Sequence, residues 1–227
     1  MRERILYILA AVALALFLWN LQTIFKVLPD EANQGPIYRI VYFHVPSIFT
    51  GFTLFFVALV SSIGYLWTKD LRWDGVAAGA TEVGLAFASV VLVTGMIWAR
   101  IIWGIWWTWD ARLTSMLICW LLYAGYLMLR RAVDEPAQRA RLSAALSIFA
   151  FADVIVVWKS IEWFRTQHPQ PVLSIRNGGG MAPGMEAPIY LNYLVMLILS
   201  AILVILRLRQ ENIKREIDAL RRFAHAL

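Results

Sequence analysis

Two histidines and a run of tryptophans are the residues here whose types and spacing can do chemistry. His44 lies in the run Arg39 to Pro46 and His168 in the run Trp163 to Pro169. A third, His225, sits near the charged C-terminal end and is assigned no role. The chain holds 11 tryptophans in 227 residues, and Trp98, Trp103, Trp106, Trp107 and Trp109 crowd together just before Asp110 and Arg112. On a helix, Trp103, Trp106, Trp107 and Asp110 fall at i, i+3, i+4 and i+7, so the spacing predicts one indole face ending in a carboxylate. Such a face suits a large flat apolar ligand, because indoles offer area at little entropic cost. The aromatic belt of a membrane interface is the other reading of the tryptophans. Asp110 has an alternative too, as the N-cap of the helix that follows it. The one cysteine, Cys119, excludes an internal disulfide or a CxxC pair, and no C-x-x-C-H is present for thioether attachment of haem.

The elements that must position these residues are membrane spans. Hydrophobic residues make up 60% of the chain and charged residues 16%, with a mean hydropathy of +0.64. That departs from a soluble domain by more than a larger core would require. The net charge of +6 does not signal nucleic acid, since the basic residues lie in short clusters between apolar runs. Six runs reach the roughly 20 residues that a bilayer needs: about 5–25, 46–67, 80–100, 113–130, 144–164 and 188–207. They are continuous rather than alternating, which predicts an all-α bundle and excludes a barrel. The first lacks a small-residue cleavage site and is expected to remain as a span. With both termini in the cytoplasm, 14 of 21 Lys and Arg residues fall inside. The tail 208–227 is then a cytoplasmic charged helix, with Glu211–Arg215 and Asp218–Arg222 at i,i+4.

That topology brings His44, His168 and the tryptophan segment to the outer edge of the membrane. A lone interfacial histidine usually only hydrogen-bonds, but two imidazoles at one depth beside an aromatic shelf can grip porphyrin iron axially. Arg39, Arg100, Arg112 and Arg165 ring the same face and could meet propionates. The loop after His168, with Gly178, Gly179 and Gly180 among prolines, is expected to be mobile. Charges inside spans are costly in lipid and often functional. Asp153 lies near mid-depth of the fifth span, Lys159 and Glu162 could pair, and Glu82 is near the inner end of the third. Gly79, Gly84 and Gly95 read as close-packing positions.

The residues Trp103, Gly104, Trp106, Trp107, Trp109, Asp110, Ala111, Arg112, Leu113, Thr114 and Ser115 resemble the WWD motif of membrane haem-handling proteins. With six spans and one histidine on each side of the motif, the whole chain resembles the CcmC (haem exporter protein C) family of bacterial cytochrome c maturation. Synthetase-type relatives are longer and carry more histidines, so they match less well. The resemblance implies haem b as non-covalent cargo, with His44 and His168 as axial ligands and the WWD segment as platform. Within it Trp103, Trp106, Trp107, Trp109 and Asp110 would face haem, with Arg112 and Arg39 as candidate propionate contacts. It further implies a site facing the periplasm from the inner membrane. The implied partners are a membrane-anchored periplasmic haem chaperone, the ATPase and membrane subunits of an ABC transporter, and a small single-span membrane subunit. The implied task is delivery of haem to the chaperone rather than catalysis, with one vinyl edge of haem left accessible. Transport of haem across the bilayer is the alternative, and a b-type redox subunit a remote one, because both histidines lie at one surface.

Overall fold

In hydrocarbon a backbone has only itself to hydrogen-bond to, so each apolar run closes into a helix. The computed structural model describes residues 2–170, 173, 181–182 and 184–225. Among them six helices are long and apolar enough to cross a membrane. They are α1 (Arg2–Gln22), α2 (Val41–Thr68), α3 (Leu71–Ile102), α4 (Ala111–Ala132), α5 (Pro136–Trp163) and α6 (Ala187–His225). The protein is thus a multi-pass, all-α membrane protein. A π-helical turn (Thr23–Val27) extends α1, and a 3-10 turn (Pro36–Ile40) leads into α2. The glycine-rich loop expected to be mobile lies outside the described residues.

Several helices outrun the spans expected from hydropathy because polar residues cap them beyond the apolar stretch. The α3 helix begins at Leu71 rather than near 80, where the Asp70 carboxylate accepts the Arg72 N–H at 2.9 Å. Ahead of it, Lys69 closes α2 in the left-handed conformation with φ 59°. The α5 helix starts on Pro136, with the Glu135 carboxylate accepting the Ala137 and Gln138 N–H groups. Span and charged tail at the C-terminus form one helix, α6. There Glu211 approaches Arg139 at 4.0 Å; the side chains of Arg215, Asp218 and Arg222 lie outside the described residues.

The central helix is α2, packed against α3, α5 and α6, while α4 pairs with α5 and α1 with α6. Small residues permit the tight α2–α3 contact: a Cβ at Gly84 would lie 2.9 Å from the Phe55 ring. Phe55 stacks in turn on Tyr123 of α4, rings 3.7 Å apart and 2° from parallel. Gly79 faces Val204 and Arg207 of α6, and Gly95 faces His44. Of the charges in spans, Lys159 pairs with Glu162 at 2.9 Å and Glu82 with Arg207 at 2.5 Å. One carboxylate oxygen of Asp153 is buried without a hydrogen-bond partner among the described residues.

At the end of the bundle that holds both termini, Arg130 of α4 forms a two-pronged ion pair with Asp74 of α3 at 2.5 and 3.0 Å. The side chains are only 10% and 3% exposed. Removing one partner of such a pair strands the other charge, which costs about 3–5 kcal/mol, whereas apolar replacement of both is often near neutral. Asp74→Ala is therefore expected to lower the thermal midpoint of the detergent-solubilised protein strongly. Asp74→Leu combined with Arg130→Met should recover most of the loss; equal losses in both variants would contradict this role.

Candidate functional site

Among the described residues, the irregular backbone that surrounds the site gathers at the opposite end, in residues 23–40, 103–110, 164–170 and 184–186. It encloses a cavity of about 1240 Å³ whose wall includes His44, His168, Trp103, Trp107 and Arg112. This exceeds the roughly 300–1,000 Å³ of ordinary small-ligand pockets. Its floor is apolar, formed by Ile48, Val91, Met116 and Val157 at the top of the main core.

The tryptophan segment is not the helix that its spacing predicts. The α3 helix ends at Ile102, and Gly104 takes φ +77°, which turns the chain out of helical geometry. The Arg100 guanidinium donates to the Gly104 carbonyl and holds that turn. From there to Asp110 the backbone is irregular. The single indole face therefore does not form. Trp103 and Trp107 line the cavity, while Trp106 and Trp109 point elsewhere and are 58% and 75% exposed. Trp107 meets Trp109 edge to face at 5.8 Å, and Trp103 meets Trp98 likewise at 5.0 Å. The buried Trp107 indole N–H has no partner among the described residues.

Asp110 caps α4, its Oδ1 accepting the Arg112 N–H at 2.9 Å. Its Oδ2 accepts the Gln167 N–H, also at 2.9 Å, one residue before His168. One carboxylate thus joins the end of the tryptophan segment to the segment that bears the second histidine. Burial acts to raise the Asp110 pKa. Hydrogen bonds from Thr166, Gln167, Arg112 and Leu113 outweigh it and hold the carboxyl below its ordinary value. Asp110 does not line the cavity.

Arg39 does not line it either. Its guanidinium pairs with Asp30 and donates to the carbonyls of Ile24 at 2.9 Å and Leu28 at 3.1 Å. Arg39 therefore ties the π-helical turn to the 3-10 turn beneath His44. Trp98 makes a similar tie that the sequence did not signal, donating its indole N–H to Gln34 at 2.8 Å. Among the described residues, Arg112 is the cation on the cavity wall, with one guanidinium N–H on the Val157 carbonyl at 3.1 Å. Two carboxylates that no motif indicated, Glu162 and Glu186, also lie on the wall.

The two histidines come from α2 and from the segment after α5. The His168 Nδ1 lies 2.9 Å from the Pro169 carbonyl, which can only accept, so Nδ1 carries the proton and Nε2 its lone pair. The His44 Nδ1 lies 2.9 Å from the Thr94 hydroxyl. Two imidazoles are too few to hold a bare cation, and among the described residues no cluster of three metal-binding side chains occurs. Two do suffice as axial ligands of an iron that arrives within a macrocycle. Burial and the Arg112 guanidinium push the His168 pKa down from 6.5 to about 4.

The family model "CcmC: Heme exporter protein C" matches residues 1–223. "Heme exporter protein C" of Bradyrhizobium diazoefficiens is 33% identical over 193 residues, covering 85% of this chain and 73% of the relative. Its namesake in Escherichia coli is 34% identical over 186 residues, covering 82% and 74%. A ccmC-like mitochondrial protein of cytochrome c biosynthesis from Marchantia polymorpha is 31% identical over 204 residues, covering 90% and 83%.

The depressed His168 pKa makes a prediction about protonation. Between pH 6.5 and about 4 the unfolded chain holds a proton on this ring that the folded protein lacks, so stability falls as pH drops through that window. NMR titration of the haem-free protein should place the His168 midpoint near pH 4. Arg112→Gln should raise it yet leave it below 6.5, because burial persists. A midpoint at 6.5 in the unsubstituted protein would contradict the geometry.

Proposed function

The chain belongs to the heme exporter protein C family, a haem-handling membrane component of cytochrome c biogenesis, and from that premise we propose that its cavity holds haem for delivery to a partner. The observation that carries this reading is the convergence of His44, His168, Trp103, Trp107 and Arg112 on one large apolar cavity at one end of the bundle. Haem is cargo here, and the residues present match its chemistry. Two neutral imidazoles would take the axial positions of the iron. Trp103 and Trp107 supply flat apolar area for the macrocycle, and the unpartnered Trp107 N–H offers a donor to a polar edge of the ligand. Arg112 would receive a propionate as a charge-assisted pair, with Glu186 repelling propionates from its part of the wall.

Arg39 and Asp110 then act on the frame rather than on haem. Arg39 braces the loop under His44, and Asp110 fixes the segment that carries His168. Trp106 and Trp109 stand exposed outside the cavity, placed to meet a docking protein at the same surface. We place this surface at the periplasmic face of the bacterial inner membrane, with both termini cytoplasmic, a reading that the Lys and Arg distribution supports. The docking protein would be a membrane-anchored haem chaperone, which needs one vinyl edge of haem within reach. ABC transporter ATPase and membrane subunits and a small single-span subunit complete the proposed assembly. Their ATPase activity lies outside this chain, whose own part is non-enzymatic holding of haem b.

The test compares substitutions by haem content and visible spectrum of the purified protein. His44→Ala and His168→Ala should each lose the bis-imidazole spectrum. Trp103→Ala and Trp107→Ala should each weaken haem binding by about tenfold or more, as truncating an aromatic anchor at a binding surface does. Trp106→Ala and Trp109→Ala should retain haem and lose transfer to the chaperone. Full haem and an unchanged spectrum in both histidine variants would refute the reading.

A further inference from the structure

The proposed iron ligand His44 is held by a residue that no motif marks. Thr94 lies on α3, and its hydroxyl sits 2.9 Å from the His44 Nδ1. The same hydroxyl donates to the Val90 carbonyl at 2.6 Å, with the Val91 carbonyl further off at 3.3 Å. A hydroxyl has one hydrogen and two lone pairs. With its hydrogen committed to the backbone of its own helix, Thr94 can only accept from the imidazole. The His44 proton is therefore on Nδ1, and Nε2 keeps the lone pair that a metal requires. The neighbouring Gly95 lies against the same ring edge: a Cβ there would be 3.4 Å from the His44 Cε1 and 4.0 Å from its Nδ1. Both His44 and Gly95 face the cavity.

We infer that Thr94 is a positioning residue for haem capture, fixing the tautomer and orientation of His44 so that Nε2 faces the cavity before haem arrives. This rests on the assignment of His44 as an iron ligand made above. It also sets the two imidazoles apart. His168 is locked by the carbonyl of its own neighbour, on a segment outside the bundle. His44 is locked from another helix, fifty residues away in sequence. His44 is thus the ligand built into the bundle, and the relative placement of α2 and α3 determines its aim.

Partners of this kind around metal-bound histidines are worth about 10–100-fold in metal affinity. Thr94→Val removes the acceptor with little change in shape, and Thr94→Ser restores it. The experiment uses the full-length protein in detergent, with ¹⁵N-labelled histidine and the His44 signal assigned by its absence in His44→Ala. In the haem-free protein Nδ1 should be protonated and Nε2 bare. Thr94→Val should show both tautomers, weaken haem binding about 10–100-fold and convert part of the ferric low-spin spectrum to high-spin. Thr94→Ser should restore all three properties. A proton on Nε2 in the unsubstituted protein, or haem binding by Thr94→Val equal to it, would overturn the inference. Unchanged haem affinity and spectrum in His44→Ala would instead overturn the ligand assignment, whatever Thr94→Val does.

Discussion

A lipid environment leaves no backbone N–H or C=O without an internal partner, and that constraint orders the whole molecule. Six segments satisfy it as helices. Among the described residues the longer non-helical segments lie at one end, fastened by side chains, while only the short turns 69–70 and 133–135 close the other. Asp110 accepts from Arg112 and Gln167, Arg39 donates to Ile24 and Leu28, and Trp98 donates to Gln34. The same fastenings surround the cavity, so satisfying the irregular backbone and building the site are one operation. The haem-holding face proposed above would need non-helical chain to reach around a macrocycle, and these side chains hold that chain in place.

The two ends of the bundle divide the work. At the end with the termini, charges tie helices together: Arg130 to Asp74, Arg207 to Glu82, Arg139 near Glu211, and Arg209 to Glu3. At the other end cations hold backbone carbonyls and pair with Asp30 and Glu162, while Arg112 reaches the cavity. Between them lies the apolar core around Phe55 and Tyr123, whose upper layer is the cavity floor. The proposed haem site is thereby set on a bundle secured from the far side.

Hydropathy made the six spans legible, because burial in lipid acts on every residue of a span and leaves a long signal. The helix ends were less so, since Asp70 and Glu135 extend α3 and α5 by local capping that hydropathy does not record. The meeting of His44 and His168 followed from topology alone. The indole face did not form because one glycine, Gly104, and one cap, Asp110, break the periodicity that the tryptophans suggest. Arg39 looked like an anion-binding residue, but its partners are two backbone carbonyls and Asp30, and carbonyls leave no trace in sequence. Thr94 was invisible for a similar reason: nothing in its local sequence distinguishes it from any threonine bonded back to its own helix.

The central claim is that haem sits inside the cavity, between the histidines, rather than on the outer surface of the tryptophan segment. The most direct measurement is an electron cryo-microscopy map of the full-length protein loaded with haem. The account predicts planar density within the cavity, flanked by Trp103 and Trp107, with iron bound to the Nε2 atoms of His44 and His168. Density lying against Trp106 and Trp109 outside the cavity, or iron held by any other side chain, would contradict it.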